Sequence, residues 1–490
     1  MSTNTLRMSL EQNEISHDVT TTTPASTTTQ SDSTGTTMDF PQQQPQQQDE
    51  KEAVTATTAA PAIDIDRPAF ILPVIVVAQF AGTSLWFAGN AVLPDLIVDW
   101  ENGSGNVTIS ESAQGYLTSV VQLGFILGTL LSALCNLADR FRPTQVFLWS
   151  SLMGSALNAL IPFWTSTTGL VLLRLGTGIC LAGIYPVGMK VAADWFPSGL
   201  GRALGWLVGA LAVGSSAPFL LKKIPQPWEA LLWETSALAA MGGFVVGIFV
   251  PDGPFRKPGT KLNPSVVWTI FKDPPFRAAA FGYFGHMFEL YAFWSWCVQV
   301  WEAYIETQDN LSWDANTITF GVLAIGGLGC VIGGLLSEKY GSALVAFTSL
   351  AISGMLCLLS PALYLAPPGI MLAAYLLWGF AVVADSPQFS SLIATTAPAD
   401  NKGTALTIVN CIGFSITIGS IQLLGVPFSE QYLFLLLAPG PIFGLWSMRG
   451  LVFPSTSGDT LDDPSFKVDE NDDVDGESET KEKEKRQEEG

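Results

Sequence analysis

The stretch CNLADRFRPT, residues 135–144, lies between two long runs of residues that carry almost no charge. A similar stretch, GLLSEKYGSA, occupies residues 334–343. The acidic residues of the two stretches, Asp139 and Glu338, are 199 positions apart, about half the length of the apolar part of the chain. A charged turn that recurs at this spacing predicts an internal duplication, with one copy of the turn in each half.

Apolar segments that are long enough to cross a bilayer flank both turns. A bilayer core needs about 20 apolar residues in one helix, since each residue advances the helix by ~1.5 Å. A soluble helical protein would need polar helix faces, and these segments lack them. The sequence therefore predicts an all-α integral membrane protein with twelve transmembrane helices in two six-helix bundles. The segments are 70–92, 113–135, 143–164, 168–190, 201–222 and 229–250, then 276–300, 316–338, 341–362, 368–390, 402–424 and 430–448.

The net charge of the chain is concentrated at its two ends. Of a formal net charge of −20, residues 1–68 carry −7 and residues 455–490 carry −9. Both ends are too polar to bury a core and are predicted to be disordered. The acidity therefore belongs to tails, and no nucleic-acid partner is expected. The predicted domains are a cytoplasmic N-terminal tail (1–68), a bundle (69–250), a cytoplasmic linker (251–275), a second bundle (276–450) and an acidic cytoplasmic C-terminal tail (451–490).

Basic residues indicate which side of the membrane each connection faces. They collect at the even-to-odd connections and in the central linker, which places these connections and both termini in the cytoplasm by the positive-inside rule. The sequons at Asn102, Asn106 and Asn310 fall on the opposite side. The plasma membrane is the default location, and an organelle membrane is the alternative. The basic positions include Arg140, Arg142, Lys190, Arg202, Arg256, Lys339 and Lys402.

Ionisable side chains inside the apolar segments are the functional candidates, because a charge at membrane depth is costly unless it is paired or hydrated. Arg174 could bind an anion or tie its helix to its neighbours. His286 and Glu289 share one helix face and could exchange protons, or form a hydrogen-bonded pair that holds the bundle together. Asp385 precedes Pro387, which disrupts the helix; the pair could build a site at mid-depth or only kink and cap the helix.

The two charged turns resemble the loop motif of the major facilitator superfamily. In that motif Gly, three residues, Asp, Arg or Lys, one residue and Gly follow the second helix of each bundle. The second turn supplies all four positions, with Gly334, Glu338, Lys339 and Gly341. The first turn supplies Asp139 and Arg140, with Cys135 and Arg142 in place of the two glycines. A further family element, an arginine early in the fourth helix followed by glycines, is matched by Arg174, Gly178 and Gly183.

The position of the turns predicts a conformational latch. A carboxylate at such a turn can meet the positive N-terminal end of a neighbouring helix and the bases beside it, in a contact that breaks when two bundles move apart. The alternative is an ordinary charged turn, which explains one occurrence better than two in register. The latch candidates are Asp139, Arg140, Glu338 and Lys339.

Four stretches are similar to a branch of the superfamily grouped near the cyanate and nitrate/nitrite permeases. Nitrate carriers of the superfamily have an arginine inside the second and eighth helices, and neither segment has one here. Nitrate itself is therefore not favoured as the solute. The stretches are GTSLWFAGNAVLPDL (82–96), AGIYPVGMK (182–190), GYFGHMFELYAFWSW (282–296) and ADSPQFSSL (384–392).

The resemblance implies where the site lies, since helices one, four, seven and ten line the central cavity in this superfamily. The expected solute-binding residues are Trp86, Asn90, Arg174, Tyr185, Trp296 and Gln388. The expected proton-coupling residues are His286, Glu289 and Asp385.

The predicted function is secondary active transport of a small, polar, anionic solute by alternating access, with the proton as candidate coupling ion. No Walker loop, HExxH motif or GxSxG motif is present, so the chain is not expected to be an enzyme or to hold a metal or cofactor. The expected partners are the solute and the lipid bilayer, and the expected state is a monomer. The alternative is a transporter-like membrane receptor that signals through its cytoplasmic tails.

Overall fold

The computed structural model describes residues 68–104, 113–196, 199–256, 264–398 and 401–453. Within these ranges the chain is helical and contains no β-strand. Almost all of both predicted tails, and part of the predicted linker, lie outside the described residues. The predicted bundle boundaries stay predictions.

Eighteen α-helices occur in the described part of the chain. The first nine are α1 (Ile71–Thr83), α2 (Ala88–Ser104), α3 (Ala113–Cys135), α4 (Leu137–Arg140), α5 (Pro143–Ala159), α6 (Thr167–Ala182), α7 (Tyr185–Trp195), α8 (Leu200–Leu221) and α9 (Trp228–Phe249). The others are α10 (Val267–Ile270), α11 (Pro274–Glu306), α12 (Ala315–Tyr340), α13 (Ser342–Tyr364), α14 (Pro368–Ala384), α15 (Ser386–Thr396), α16 (Lys402–Leu424), α17 (Glu430–Leu433) and α18 (Pro439–Val452).

Eleven helical stretches of the described residues are long and apolar enough to cross a membrane. They correspond to eleven of the twelve predicted segments. The remaining segment lies within α11, a 33-residue helix that is long enough to span a bilayer but carries Arg277, His286 and Glu289. The prediction of twelve spans in two bundles is therefore confirmed only in part, as an all-helical membrane protein with eleven spans identified by length and composition.

Large apolar side chains cover the outside of the molecule. Trp149 on α5, Leu172 on α6 and Ile248 on α9 are each more than 60% exposed. A soluble protein does not present so many bulky apolar groups to water, whereas lipid tails solvate them.

Three of the membrane stretches are broken into two helices near their middle. The first is interrupted at residues 84–87, between α1 and α2, and the others are interrupted between α6 and α7 and between α14 and α15. Pro186 and Pro387 stand in the first turns of α7 and α15. Proline has no N–H and disfavours a helical residue before it, so a new helix begins there. The break predicted from Pro387 is thus present.

Two long helix pairs join the first half of the chain to the second. The helix α8 packs along α12, and α3 packs along α16. The first pair approaches very closely where Gly209 faces Gly327: a Cβ built on Gly209 would lie 2.8 Å from the carbonyl oxygen of Gly327. Small residues permit such close approach between membrane helices.

Candidate functional site

A small cavity lies between the two halves of the chain. Its volume is about 30 Å³, room for about one or two water molecules. The first half contributes residues of α7 and α8, and the second half contributes residues of α11, α14, α15 and α16. Aliphatic side chains share the lining with aromatic rings and uncharged polar groups, which include Tyr185, Tyr283, Tyr291, Ser386, Asn410 and Phe414.

Aromatic rings from both halves stack beside this cavity. Trp86, at the break between α1 and α2, stacks on Tyr291 of α11 with ring centroids 5.3 Å apart and ring planes 22° apart. Phe125 of α3 contacts Phe414 of α16, with centroids 4.4 Å apart. The ring of Tyr185 lies 6.4 Å from that of Phe125. A flat solute with an aromatic ring could stack on these side chains in place of one of their present ring partners.

Arg174 holds the broken backbone beside Trp86. The side chain is fully buried, and its Nη1 donates to the carbonyl oxygen of Leu85 at 3.1 Å while Nη2 donates to that of Trp86. Gly89 leaves room for the guanidinium, since a Cβ there would lie 2.9 Å from Nε. Among the described residues, no carboxylate forms an ion pair with Arg174. The sequence left two roles open for Arg174, anion binding and attachment of its helix to a neighbouring helix. These contacts are of the second kind.

His286 bridges two residues at the break between α14 and α15. Its Nδ1 lies 3.0 Å from Oδ1 of Asp385, and its Nε2 lies 2.8 Å from Oγ of Ser386. Both members of the His286–Asp385 pair are buried, at 1% and 0% side-chain exposure. Asp385 makes no side-chain cap hydrogen bond to α15, and its carboxylate lies beside the imidazole.

Glu289 lies apart from His286, although the two share α11. Its carboxylate accepts hydrogen bonds from Trp378 Nε1 at 2.6 Å, Ser353 Oγ at 2.9 Å and Cys357 Sγ at 3.4 Å. These donors belong to α13 and α14, and none of the three lines the cavity. The sequence suggested His286 and Glu289 as partners, and the structure instead gives each of them separate partners.

Contacts between the halves close the cavity on one side, which the charge distribution predicts to be outside. Thr118 Oγ1 and Ser295 Oγ are 2.8 Å apart across α3 and α11. Asn90 donates to Thr118 Oγ1 at 2.8 Å and so belongs to this closure, not to the cavity lining. The ring of Trp296 lies against the same helix, α3, since a Cβ built on Gly115 would lie 3.0 Å from it, while its Nε1 donates within the second half to the carbonyl oxygen of Ile421 at 3.2 Å. A further bond joins Gln422 to Ser119 at 2.8 Å.

The predicted site residues therefore occupy several different places in the structure. Tyr185 lines the cavity and Trp86 stacks beside it; Arg174 positions Trp86; His286 and Asp385 form a buried pair; Asn90 and Trp296 close one side. Glu289 is buried in the second half, and Gln388 is buried in α15. Sequence reasoning missed Ser386, although it stands next to Asp385, and it missed Tyr291 and Asn410. The spacing of Tyr283, Met287 and Tyr291 on one face of α11 was a signal for the cavity side of that helix.

The model of the Major Facilitator Superfamily matches residues 69–420, which is most of the chain. The chain belongs to this superfamily. It is a multi-pass membrane protein of a transporter family, as the sequence predicted.

Curated relatives of this superfamily protein are also named for transport. The niacin transporter NiaP of Acinetobacter baylyi is 27% identical over 28% of this chain, a match that covers only 34% of the relative. A Haemophilus influenzae protein named for metabolite transport is 24% identical over 73% of this chain and 91% of its own length. A Bacillus subtilis protein named for niacin and nicotinamide transport is 26% identical over 43% of this chain and 52% of its own length.

A solved structure has the same fold as this superfamily protein. The crystal structure of the human organic anion transporter MFSD10 (TETRAN) matches with a TM-score of 0.62 over 77% of this chain and 98% of that chain, at 14% identity. At this identity the likeness shows the fold alone. The predicted similarity to the cyanate and nitrate/nitrite branch finds no support among these relatives and stays a prediction.

One of the two predicted latch turns joins the halves of this superfamily protein. Glu338, near the end of α12, pairs with Arg202 in the first turn of α8, with Nη2 and Oε1 3.4 Å apart. Arg140 is exposed, Lys339 lies over the ring of Tyr340, and the side chain of Asp139 lies outside the described residues. The contact of Glu338 has the geometry expected of a latch, whose function stays a prediction.

Removing this latch is expected to have a modest effect. Both partners are about half exposed, and exposed ion pairs contribute about 0.2–1 kcal/mol. Glu338→Gln and Arg202→Gln should each change the transport rate by up to about fivefold, and the double variant should add nothing further. Uptake rates in liposomes measure this double-mutant cycle. Complete loss in either variant, or effects that add, would argue against a simple latch.

Proposed function

We propose that the protein is a secondary transporter that carries a small ring-containing solute across the membrane by alternating access. In this proposal twelve membrane helices form two bundles, residues 69–250 and 276–450, and the solute binds in the cavity between them. One observation carries the proposal: an aromatic and polar cavity lies at the junction of the halves and is closed on one side by contacts that can break, such as Thr118 with Ser295.

The rings around the cavity favour a planar solute. Tyr185, Tyr283, Tyr291 and Phe414 line it, and Trp86 stacks on Tyr291. Ring faces of this kind stack on a flat aromatic group, while Ser386 and Asn410 offer hydrogen bonds to its polar substituents. Two relatives carry names that refer to niacin, one of them also to nicotinamide, and both compounds are small substituted pyridines.

The contacts of Arg174 and the cavity lining bear on the charge of the solute. The sequence predicted an anion bound by Arg174, but two of the guanidinium nitrogens already donate to backbone carbonyls. The named cavity residues carry hydroxyl, amide and apolar groups. We therefore propose that stacking and neutral hydrogen bonds supply most of the recognition, and that a carboxylate on the ring is tolerated but not required.

Proton coupling completes the proposed mechanism. His286, Asp385 and Glu289 are ionisable groups buried in the second half, and such groups mark proton pathways in membrane carriers. In this scheme a proton taken up by the His286–Asp385 pair changes the buried charge as the halves rock. The receptor alternative finds no support among the relatives, whose names refer to transport.

Niacin and nicotinamide form a matched pair for testing the proposal, because they differ in charge but share the ring. In liposomes containing the full-length protein, both should be taken up above protein-free liposomes. Trp86→Leu should lower uptake at least tenfold, since it removes the ring stacked on Tyr291, and Trp86→Phe should keep most of it. The control is Trp149→Leu, because Trp149 is 66% exposed on the outside of α5.

The outcome separates the parts of the proposal. Uptake of neither compound would contradict the ring-containing solute. Uptake of niacin alone would support the predicted anion and argue against recognition by neutral groups. Equal losses in Trp86→Leu and Trp149→Leu would show that the stack is not part of the site.

A further inference from the structure

Ser386 is the point at which the cavity meets the buried His286–Asp385 pair. It lines the cavity, and its Oγ lies 2.8 Å from Nε2 of His286. The other ring nitrogen of His286, Nδ1, lies 3.0 Å from Oδ1 of Asp385. A continuous chain of polar atoms therefore runs from the cavity through a hydroxyl and an imidazole to a carboxylate.

This arrangement lies at the break between α14 and α15. Asp385 is the last residue before α15 and Ser386 is the first residue in it, so consecutive residues serve opposite nitrogens of one imidazole. In an unbroken helix consecutive side chains point about 100° apart and do not face a common neighbour. Pro387, in the first turn of α15, keeps the break in place because proline cannot continue the preceding hydrogen-bond ladder.

Among the described groups that surround Asp385, His286 is the one that can carry a positive charge. Glu289 on the same helix and Cys330 on α12 both interact electrostatically with Asp385. The rings of Tyr283 and Phe389 lie 6.0 and 5.6 Å from that of His286. Beyond Tyr283 lie Tyr185 of α7 and Cys411 of α16. Among the described residues, no lysine or arginine forms an ion pair with Asp385.

We propose that Ser386 is a proton relay between the cavity and the His286–Asp385 pair. A hydronium ion in the cavity gives a proton to Oγ of Ser386, and the original hydroxyl proton of Ser386 passes to Nε2 of His286. One O–H bond forms and one breaks at Oγ, an N–H bond forms at Nε2, and water remains in the cavity. The imidazole becomes imidazolium beside the Asp385 carboxylate, so the pair changes from a net charge of −1 to neutral.

This step deepens the proposed function and rests on it for its biological meaning. A buried, unneutralised carboxylate is costly at membrane depth, so uptake of the proton favours conformations in which the pair is sealed from water. A solute oxygen in the cavity would compete for the same hydroxyl of Ser386. Solute binding and proton uptake would then share one side chain, which is how the two events become linked.

The test observes His286 directly and needs no solute. The chain has only two histidines, so His17→Gln in the full-length protein leaves His286 as the one histidine signal after selective ¹⁵N labelling. The measured quantity is the rate at which the ring protons of His286 exchange with water, by NMR in detergent micelles. Ser386→Ala should slow this exchange at least tenfold, because it removes the hydroxyl, and Ser386→Thr should restore it.

Ser391→Ala is the matched control, since Ser391 lies in the same helix and does not line the cavity. Should Ser386→Ala not be recovered folded, Ser386→Cys, whose thiol is a weaker donor, gives the same comparison with Ser386→Thr. Equal exchange rates with and without the hydroxyl would overturn the relay, as would equal slowing in Ser391→Ala. Failure to transport niacin or nicotinamide would not alter this result, so the relay and the proposed function fail separately.

Discussion

Replacing Arg174 with methionine is expected to reduce uptake of niacin and of nicotinamide by the same factor, at least tenfold. Methionine fills a similar volume but has no N–H groups. The carbonyl oxygens of Leu85 and Trp86 would then lose their charged donors in a site without water. Each buried group left without a partner costs about 1–3 kcal/mol. This loss is enough to let the backbone at residues 84–87, between α1 and α2, change conformation and to move Trp86 away from Tyr291. Uptake rates in liposomes and the thermal unfolding temperature measure both consequences.

Two comparisons decide what Arg174 does. Arg449→Met is the control for loss of an arginine, because Arg449 is exposed near the end of α18 and contacts the ring of Trp446. Arg174→Lys should also be defective, since an ammonium cannot span two carbonyls as the guanidinium fork does. A loss confined to niacin, with nicotinamide uptake intact, would contradict the positioning role and support direct binding of an anion.

The all-helical class and eleven of the spans were predictable from composition because the membrane imposes them. Apolar segments of hydrocarbon length leave no structure other than a membrane helix, so eleven of the predicted segments are recovered as spans. The segment around His286 and Glu289 does not meet the same criterion because its polar residues, which are the functional candidates, also make it less apolar. Pro387 predicted the break in the tenth segment, and Pro186 was an equivalent signal in the fourth segment, from which no break was predicted. The break at residues 84–87 had no such signal, because no proline stands there.

The burial of four ionisable residues was predictable, but their partners were not. Burial at membrane depth singled out Arg174, His286, Glu289 and Asp385 from the sequence alone, and all four are fully buried. The i, i+3 spacing suggested His286 and Glu289 as partners, because spacing along the sequence identifies only neighbours on the same helix. The structure pairs His286 with Asp385 across a distance of 99 residues, which depends on how α11 packs against the α14–α15 break. Packing of this kind has no local sequence signal.

The closure of one side was the least predictable part. Thr118 and Ser295 are small hydroxyl residues in apolar helices, and nothing in their local sequence distinguishes them from other serines and threonines. Their contact brings together residues 177 positions apart, one from each half of the chain. Asn90 and Trp296 were expected in the solute site because of their segments, yet Asn90 donates to Thr118 of the closure and the ring of Trp296 lies against α3.

A disulfide across this closure is expected to stop transport completely. Thr118 and Ser295 are suited to replacement by cysteine, since their hydroxyl oxygens are 2.8 Å apart and a disulfide needs Cβ atoms about 3.5–4.5 Å apart. The bond would fix the two halves together on one side, so that the cavity could open only to the other. The exposed native thiol of Cys135 is replaced by serine in the same background to prevent unwanted pairing.

A second disulfide within the first half provides the matched control. Asn158 on α5 and Ser236 on α9 are hydrogen-bonded at 3.0 Å, and both belong to the same predicted bundle. The variant Asn158→Cys/Ser236→Cys, used once its disulfide has been shown to form, tests whether a cross-link by itself disturbs the protein. Its uptake should be the same in oxidising and reducing conditions.

Uptake of nicotinamide into liposomes containing Thr118→Cys/Ser295→Cys, measured before and after reduction of the disulfide, tests the alternating-access account most directly. The account predicts background uptake while the cross-link is present and recovery to the rate of the parent protein after reduction. Uptake at the full parental rate with the cross-link demonstrably formed would contradict it, because the solute would then cross without separation of the two halves.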